Sequence, residues 1–441
     1  MPQKNDIYTV EITDINNFGY GVARIDGIVT FAAGAVTGDI AKVRIIKTTK
    51  NYLVAKVEEL ITPSSVRSES PCPVSGKCGG CIYSGITYEH ELILKKKYVI
   101  NAFKKAGVEI SVDDVVSSGE TSGYRNKLQY PVSRDFSLGY YAGKTHKIIP
   151  YDKCPLQSDV MNRLAHAAAD LLREFGADAY DEETKQGLVR HIYVRHAETT
   201  GELMLTLVIN GEDIPRREDF IARIRKRFPT ITGILLNINR KDTNVILGER
   251  YILMFGRDYI CDEMCGLTFR VTPQSFYQIN RRTAEMIYRD AAEKAELHEG
   301  EHLVDLFCGT GTIGLCIIKN VPNAKLTGIE IVSSAIECAK QNAELNHIEN
   351  AQFICGDANA PELASADIVV LDPPRKGCDS DLIEKICRLS PKRIVYISCD
   401  ANTLARDVKL FIGHGYCPGN VTPYDMFPRT GHIENIVLLK R

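Results

Sequence analysis

The sequence has no imbalance of charge. Its 54 basic residues face 56 acidic ones, a net of -2, so no global positive field marks it as a polyanion binder. Any nucleic-acid surface has to be local. It has no apolar run long enough to cross a bilayer, and its first residues, MPQKNDIYTV, lack the apolar core of a secretory leader. The expectation is a cytoplasmic protein with no membrane partner. Cysteine, by contrast, is plentiful: 14 residues are dispersed through 441 positions. In a long chain without an export signal, that pattern fits reduced thiols, a metal site or catalysis better than disulfides. Cys316, Cys338, Cys355, Cys387 and Cys417 fall in apolar-periodic segments and read as core residues. The length implies about three domains.

Residues 7–61 alternate short β-branched runs with turn signals, which predicts five strands in a small β-barrel. Lys42, Arg44, Lys47, Lys50 and Lys56 are its candidate phosphate contacts, with a solvated strand face as the plain alternative. Residues 64–70 read as a linker. Cys72, Cys78 and Cys81 follow on the Pro- and Gly-rich loop SPCPVSGKCGGC, and Cys154 lies far downstream. Close cysteines on a loop can turn several thiolates toward one centre, and the remote fourth staples two segments together. Four sulfurs suit zinc or an iron-sulfur cluster equally well. The first gap is too long for a radical-generating cluster, which argues for a structural or redox role. Between residues 90 and 254 helices and strands mix. There Arg125, Lys127, Arg190, Arg195, Arg223, Arg225, Lys226 and Arg227 interleave with Tyr124, Tyr130, Tyr140 and Tyr141 as a second candidate nucleic-acid surface.

After VTPQSFYQIN and a helix from residue 281, the runs HLVDLF, KLTGIEI, AQFICG, DIVVLD and RIVYIS alternate with helical patterns, and two strands close the chain. The alternation predicts a doubly wound, mainly parallel sheet, whose ligands gather at the carboxyl ends of its strands. DLFCGTGTIG, from Asp305 to Gly314, follows the first strand, and Glu330 ends the second. Glycines let the backbone approach a ligand, and a carboxylate there can bind two ribose hydroxyls. That layout serves a nicotinamide dinucleotide or the adenosine of S-adenosylmethionine. Asp357, after the third strand, is placed toward the adenine end. The fourth strand ends in DPPRKG, from Asp372, where two prolines leave a rim of acceptors suited to a flat base edge. Alone, this rim fits methylation of an exocyclic amine. Cys399 ends the fifth strand before a helix capped by Asp400 or Asn402, where partial positive charge favours a thiolate. A small hydrophobe closing a strand is the alternative. An exocyclic amine needs no covalent catalyst, whereas carbon 5 of a pyrimidine does.

Together VTPQSFYQIN, DLFCGTGTIG, DPPRKG, SCDANTLARD and HIENIVLL resemble the RNA uridine-5 methyltransferase family, in particular its iron-sulfur ribosomal RNA branch, over essentially the whole chain. The resemblance implies three domains: a TRAM-like OB barrel over 1–62, an α+β central domain with an iron-sulfur loop over 63–270, and an α/β Rossmann-like methyltransferase domain over 271–441. It implies Cys399 as nucleophile and Glu434 as base. Gln274, Phe307, Glu330, Asp357 and Asp372 would line the cofactor and uracil site, and Cys72, Cys78, Cys81 and Cys154 would bind a 4Fe-4S cluster. Thr312 stands where some members carry asparagine and is left out. The expected activity is S-adenosylmethionine-dependent methylation of uridine carbon 5 in 23S ribosomal RNA, by a monomer. Transfer RNA as substrate and amino-methylation of a nucleobase are alternatives. A nicotinamide dehydrogenase and a passive iron-sulfur RNA binder are the remaining rivals.

Overall fold

Period-two burial organises the first sixty residues into a six-stranded sheet, ordered Ile7–Glu11, Ile40–Thr48, Tyr52–Thr62, Ile28–Ala33, Gly21–Ile25, Asp14–Ile15. The structure, a computed structural model, describes residues 2–143, 145–359 and 365–441. Ala23, Ala32, Ala41, Val43, Ile45, Leu53 and Ala55 fill the inner face of this sheet. Two features depart from the expected five-stranded barrel. Asp14–Ile15 is too short for periodicity to reveal, and the ladder runs as an open series among the described residues. Lys42 and Arg44 are held across the sheet by Glu59 (2.8 Å) and Glu58 (2.6 Å), which leaves them less available for phosphates than their spacing suggests.

The central segment forms a five-stranded sheet, ordered Arg250–Gly256, Ile231–Ile238, Leu203–Ile209, Val189–His196, Lys127–Pro131. Helices Asp159–Glu174 and Arg217–Arg227 share its core. The expected hairpin of Val189–His196 with Leu203–Ile209 is present. The second basic surface is smaller than the sequence suggests. Arg190 is buried and donates to the carbonyls of Asn239 (2.9 Å) and Lys241 (2.8 Å), while buried Arg195 donates to those of Pro273 and Ser275. Tyr124 and Tyr130 are also core residues.

The third sheet has seven strands: β1 (His302–Leu306), β2 (Lys325–Glu330), β3 (Ala351–Cys355), β4 (Ile368–Leu371), β5 (Arg393–Ser398), β6 (Cys417–Tyr424) and β7 (Glu434–Lys440). Their order is β3-β2-β1-β4-β5-β7-β6. The first five strands are parallel, and β7 runs antiparallel to both its neighbours. This reversed hairpin separates the sheet from the dinucleotide-binding order, which continues 1-4-5-6 past the switch point. The helix expected between β3 and β4 falls on a segment of which residues 360–364 lie outside the described residues. Helix Tyr88–Ala106 packs Val99, Ala102 and Phe103 into the same core as Leu404, Val408 and Phe411 of helix Ala401–Gly413. Residues 112–116 then pair alongside β6, Val112 with Val421 and Val116 with Tyr424. Among the described residues no helix is long and apolar enough to cross a membrane.

Candidate active site

Parallel strands end on one side of a sheet, and β7 runs back from that side, so β1, β2, β4, β5 and the start of β7 meet along one edge. Ser398 on β5 pairs with Asn435 on β7, which puts Cys399 and Glu434 at the next step of the ladder. The Asn435 side chain, through Nδ2, donates to the Ser398 carbonyl at 3.2 Å and fixes that step. Asp372 leaves the end of β4, the neighbour of β5. One edge thus gathers a thiol and two carboxyls from three strands.

Their proton affinities are set by that gathering. Burial pushes Glu434 up to about 8, with the Asp372 charge adding to it and Arg375 opposing. Burial raises Asp372 to about 7. Burial, then the charges of Glu434 and Asp372, push the Cys399 thiol up to about 11 against the pull of Arg375. The capped helix expected after Cys399 is present: Asp400 accepts from the Asn402 and Thr403 amides at 2.9 and 3.2 Å. The expected thiolate is not what this arrangement favours. Asp400 occupies the first amides of the helix, and burial with two carboxyls outweighs the partial charge that remains. Arg375 is therefore the cation that assists ionisation. The sequence placed it in a motif but gave it no role. Its Nη2 lies 3.0 Å from Nδ1 of His432, two residues before Glu434.

The loop after β1 is strained. Phe307, Gly309 and Gly311 have φ of 65°, 53° and 78°, and a bulky residue at positive φ is a rarity that concentrates at functional sites. Glu330 holds this loop, accepting from the Gly309 amide at 3.3 Å and from the Val332 amide at 2.9 Å. Each carboxylate oxygen keeps further acceptor capacity. Ile331 and Val332 stand exposed beside it, an apolar flank for a flat ring. Asp357 is exposed after β3 and accepts from the Asn359 amide at 2.8 Å. Asp305, which sequence reasoning passed over, is fully buried and accepts from the Gly314 amide at 3.0 Å. Burial, with the Asp372 and Glu330 charges, raises it to about 8. Thr312 opens the following helix with its hydroxyl 3.3 Å from that of Tyr288.

VTPQSFYQIN is a loop fastened from several sides. Tyr193 donates to the Pro273 carbonyl at 2.7 Å, Thr310 to that of Phe276 at 3.4 Å, and Asn126 to that of Gln278 at 2.8 Å. Gln274 is exposed, whereas Gln278 is buried. No periodicity operates in a loop, so nothing in the sequence distinguishes the two glutamines.

Cys72, Cys78, Cys81 and Cys154 line one cavity of about 840 Å³, with Arg125 and Arg429 in its wall. Asn162 fixes the backbone of Cys154, accepting from its amide at 3.2 Å and donating to its carbonyl at 3.3 Å. Burial, then the charge of Cys154, push Cys81 up to about 12, a direction that a coordinated metal reverses. Among the described residues no three of His, Cys, Asp and Glu are gathered closely enough to hold a single metal ion.

Residues 235–441 match the tRNA (uracil-5-)-methyltransferase family, and residues 3–57 match the TRAM domain. An uncharacterized RNA methyltransferase of Clostridium tetani is 37% identical over 99% of this chain and 97% of its own. Another, of Halalkalibacterium halodurans, is 38% identical over 99% of this chain and 97% of its own. The crystal structure of the Pyrococcus abyssi tRNA (uracil-54, C5)-methyltransferase in complex with S-adenosyl-L-homocysteine superposes with a TM-score of 0.81 at 25% identity, covering 98% of this chain and all of that one. These matches make the chain a methyltransferase that acts on RNA. The chain belongs to the tRNA (uracil-5-)-methyltransferase family and is an RNA (uracil-5-)-methyltransferase.

Proposed function

We propose that the protein methylates carbon 5 of a uridine in 23S ribosomal RNA, using S-adenosylmethionine, through covalent addition of Cys399. The observation that carries this reading is the neighbouring placement of Cys399 and Glu434 at the ends of paired strands. Carbon 5 is a poor nucleophile, and addition of the Cys399 sulfur at carbon 6 turns the ring into an enolate. Arg375 favours the thiolate as the thiol gives its proton to solvent. S-adenosylmethionine supplies an electrophilic methyl group to carbon 5. Glu434 takes the proton left on that carbon, and the carbon–sulfur bond then breaks to free Cys399. Its raised proton affinity makes it a stronger base than an ordinary carboxylate once it is ionised. Access to both faces of the ring requires that the uridine leave its stack.

Phe307, Glu330 and Asp357 form the proposed cofactor edge, with Glu330 on the ribose. Asp372 and Gln274 position cofactor or base. Cys72, Cys78, Cys81 and Cys154 are proposed to hold a 4Fe-4S cluster. In support, all four line one cavity, and Arg125 in its wall is a cation that matches a negatively charged thiolate cluster. The chain acts in the cytoplasm as a monomer, in three domains at 1–62, 63–270 and 271–441. Transfer RNA is the second reading, favoured by the likeness to the Pyrococcus abyssi enzyme. Mapping 5-methyluridine in ribosomal and transfer RNA, from cells with and without the gene, separates the two. A site lost from transfer RNA alone overturns the ribosomal assignment.

A further inference from the structure

The loop that delivers Glu434 is also a wall of the cysteine cavity. Residues 425–433 run from the end of β6 to Glu434, and Arg429, midway along, lines the cavity. Its backbone is clamped on both sides. The Arg429 amide donates to Glu91 at 2.7 Å, and its carbonyl accepts from the amide of Tyr83, two residues after Cys81, at 3.1 Å. Its guanidinium donates to the Ile86 carbonyl at 3.0 Å and lies 3.5 Å from the second oxygen of Glu91. One residue earlier, the Pro428 carbonyl accepts from Tyr124 at 3.0 Å, and Arg125 beside Tyr124 lines the same cavity.

The clamp continues into a buried charge network. Lys95 donates to Glu91 at 2.8 Å, to Asp425 at 2.6 Å and to the Phe427 carbonyl at 3.2 Å. Glu91 and Asp425 against Lys95 and Arg429 make two charges of each sign. Arg429 also holds a left-handed backbone, φ 70°, which a non-glycine residue keeps only when its surroundings impose it. The fastenings of Phe427, Pro428 and Arg429 and of the Asp425 side chain thus lead to helix Tyr88–Ala106 or to the segments that carry Cys81 and Arg125, whereas the Met426 carbonyl accepts from Asn280 at 3.2 Å, the Asp425 amide donates to the Val116 carbonyl at 2.9 Å, and His432 lies against Arg375.

We propose that Arg429 is a positioning residue through which the filled cysteine cavity sets the placement of Glu434. The inference rests on the assignment of Glu434 as base and of the four cysteines as one ligand site. It gives the cavity a task at the reaction centre: a group bound by Cys81 and Cys154 stiffens the cavity wall, and the stiffened wall fixes the loop. Cys399 and the cofactor edge sit on other loops. Loosening Arg429 should therefore slow proton removal while methyl transfer continues.

The test compares full-length parent, Arg429→Gln and Arg429→Lys, purified anaerobically, with the parent after iron removal. Two readouts are used: the covalent RNA adduct stable to denaturing electrophoresis, and amide exchange over residues 425–434. Arg429→Gln and the iron-stripped parent should exchange faster there. Both should accumulate adduct, with turnover lowered on the order of tenfold to a hundredfold, the scale of a catalytic group misplaced by ~1 Å. Arg429→Lys should recover part of the loss. Unchanged exchange and turnover in Arg429→Gln overturn the proposal, as does an equal loss of cofactor binding and adduct formation. Protein isolated without iron removes the cluster assignment, and normal turnover without trapped adduct in Glu434→Gln removes the base assignment. Each is distinguishable from failure of the Arg429 arm.

Discussion

Glu434 stores electrostatic strain at one residue. Its carboxyl has an ordinary value of 4.5 and is held near 8 in the folded chain. Between those values the folded state binds a proton that the unfolded state has released, so stability falls as pH rises through this window and levels off above it. Glu434→Gln cannot ionise. The variant should gain thermal stability relative to the parent progressively from pH 4.5 to about 8, as melting curves across that range would show, and a constant offset would contradict it. Turnover should rise over the upper part of the same window, because Glu434 must be ionised to accept the proton. Cys399 and Glu434 were legible in the sequence because each sits in a run with its own resemblance. The raised proton affinity of Cys399 was not, because it depends first on burial in the folded chain and then on carboxyls carried in by β4 and β7. The burial of Gln278 belongs to the same class, since it sits on a loop whose backbone is held by a distant side chain, Asn126.

At the scale of the element, helix Ala401–Gly413 positions two motifs at once. Its cap follows Cys399, and its first turns grip DPPRKG: Thr403 donates to the Arg375 carbonyl at 3.2 Å and Arg406 to that of Lys376 at 2.9 Å. Buried Asp407 accepts from the Cys378 amide at 2.8 Å. Gly377, at φ 71°, is required here, since a Cβ would lie 2.5 Å from an Asp407 oxygen. Asp400→Ala should lower unfolding free energy by ~1 kcal/mol, the usual cost of a lost cap, and Asp400→Asn by much less. Denaturant titration measures both, and equal costs would mean that Asp400 acts other than as a cap. The alternation of strands and helices, and the cap itself, were readable from hydrophobic period and capping chemistry. The grip of Asp407 on Cys378 was not, because no local pattern marks a side chain that crosses to another loop.

At the scale of the whole molecule, the buried network around Lys95 ties an early helix to the last loop. Lys95→Met leaves Glu91 and Asp425 without their shared cation, and removing one partner of a buried pair costs ~3–5 kcal/mol. Equilibrium unfolding should show a loss of that size, and most of it should return when Glu91→Gln and Asp425→Asn are added. A loss below the cost of a surface pair would show that the network is solvated. Nothing in the sequence announced this joint, because helix Tyr88–Ala106 precedes the sheet it packs on by about two hundred residues and reads locally as an ordinary amphipathic helix. The four cysteines stood out in the sequence as a set, and all four line one cavity, although among the described residues no three are close enough to hold a single metal ion. Anaerobically purified protein should be brown, with about four iron and four sulfide per chain, and Cys154→Ser should lose that colour. A colourless parent carrying zinc would overturn the cluster.

The reaction proposed above runs by a covalent route through Cys399 with proton removal by Glu434. It is tested most directly by denaturing electrophoresis of Glu434→Gln after incubation with substrate RNA and S-adenosylmethionine. Elimination of the sulfur needs the electrons released when the proton leaves carbon 5, so the variant should add, methylate and stop. A protein–RNA band should appear that requires S-adenosylmethionine and disappears when Cys399→Ala is introduced. A Cys399→Ala enzyme that still forms 5-methyluridine would contradict it.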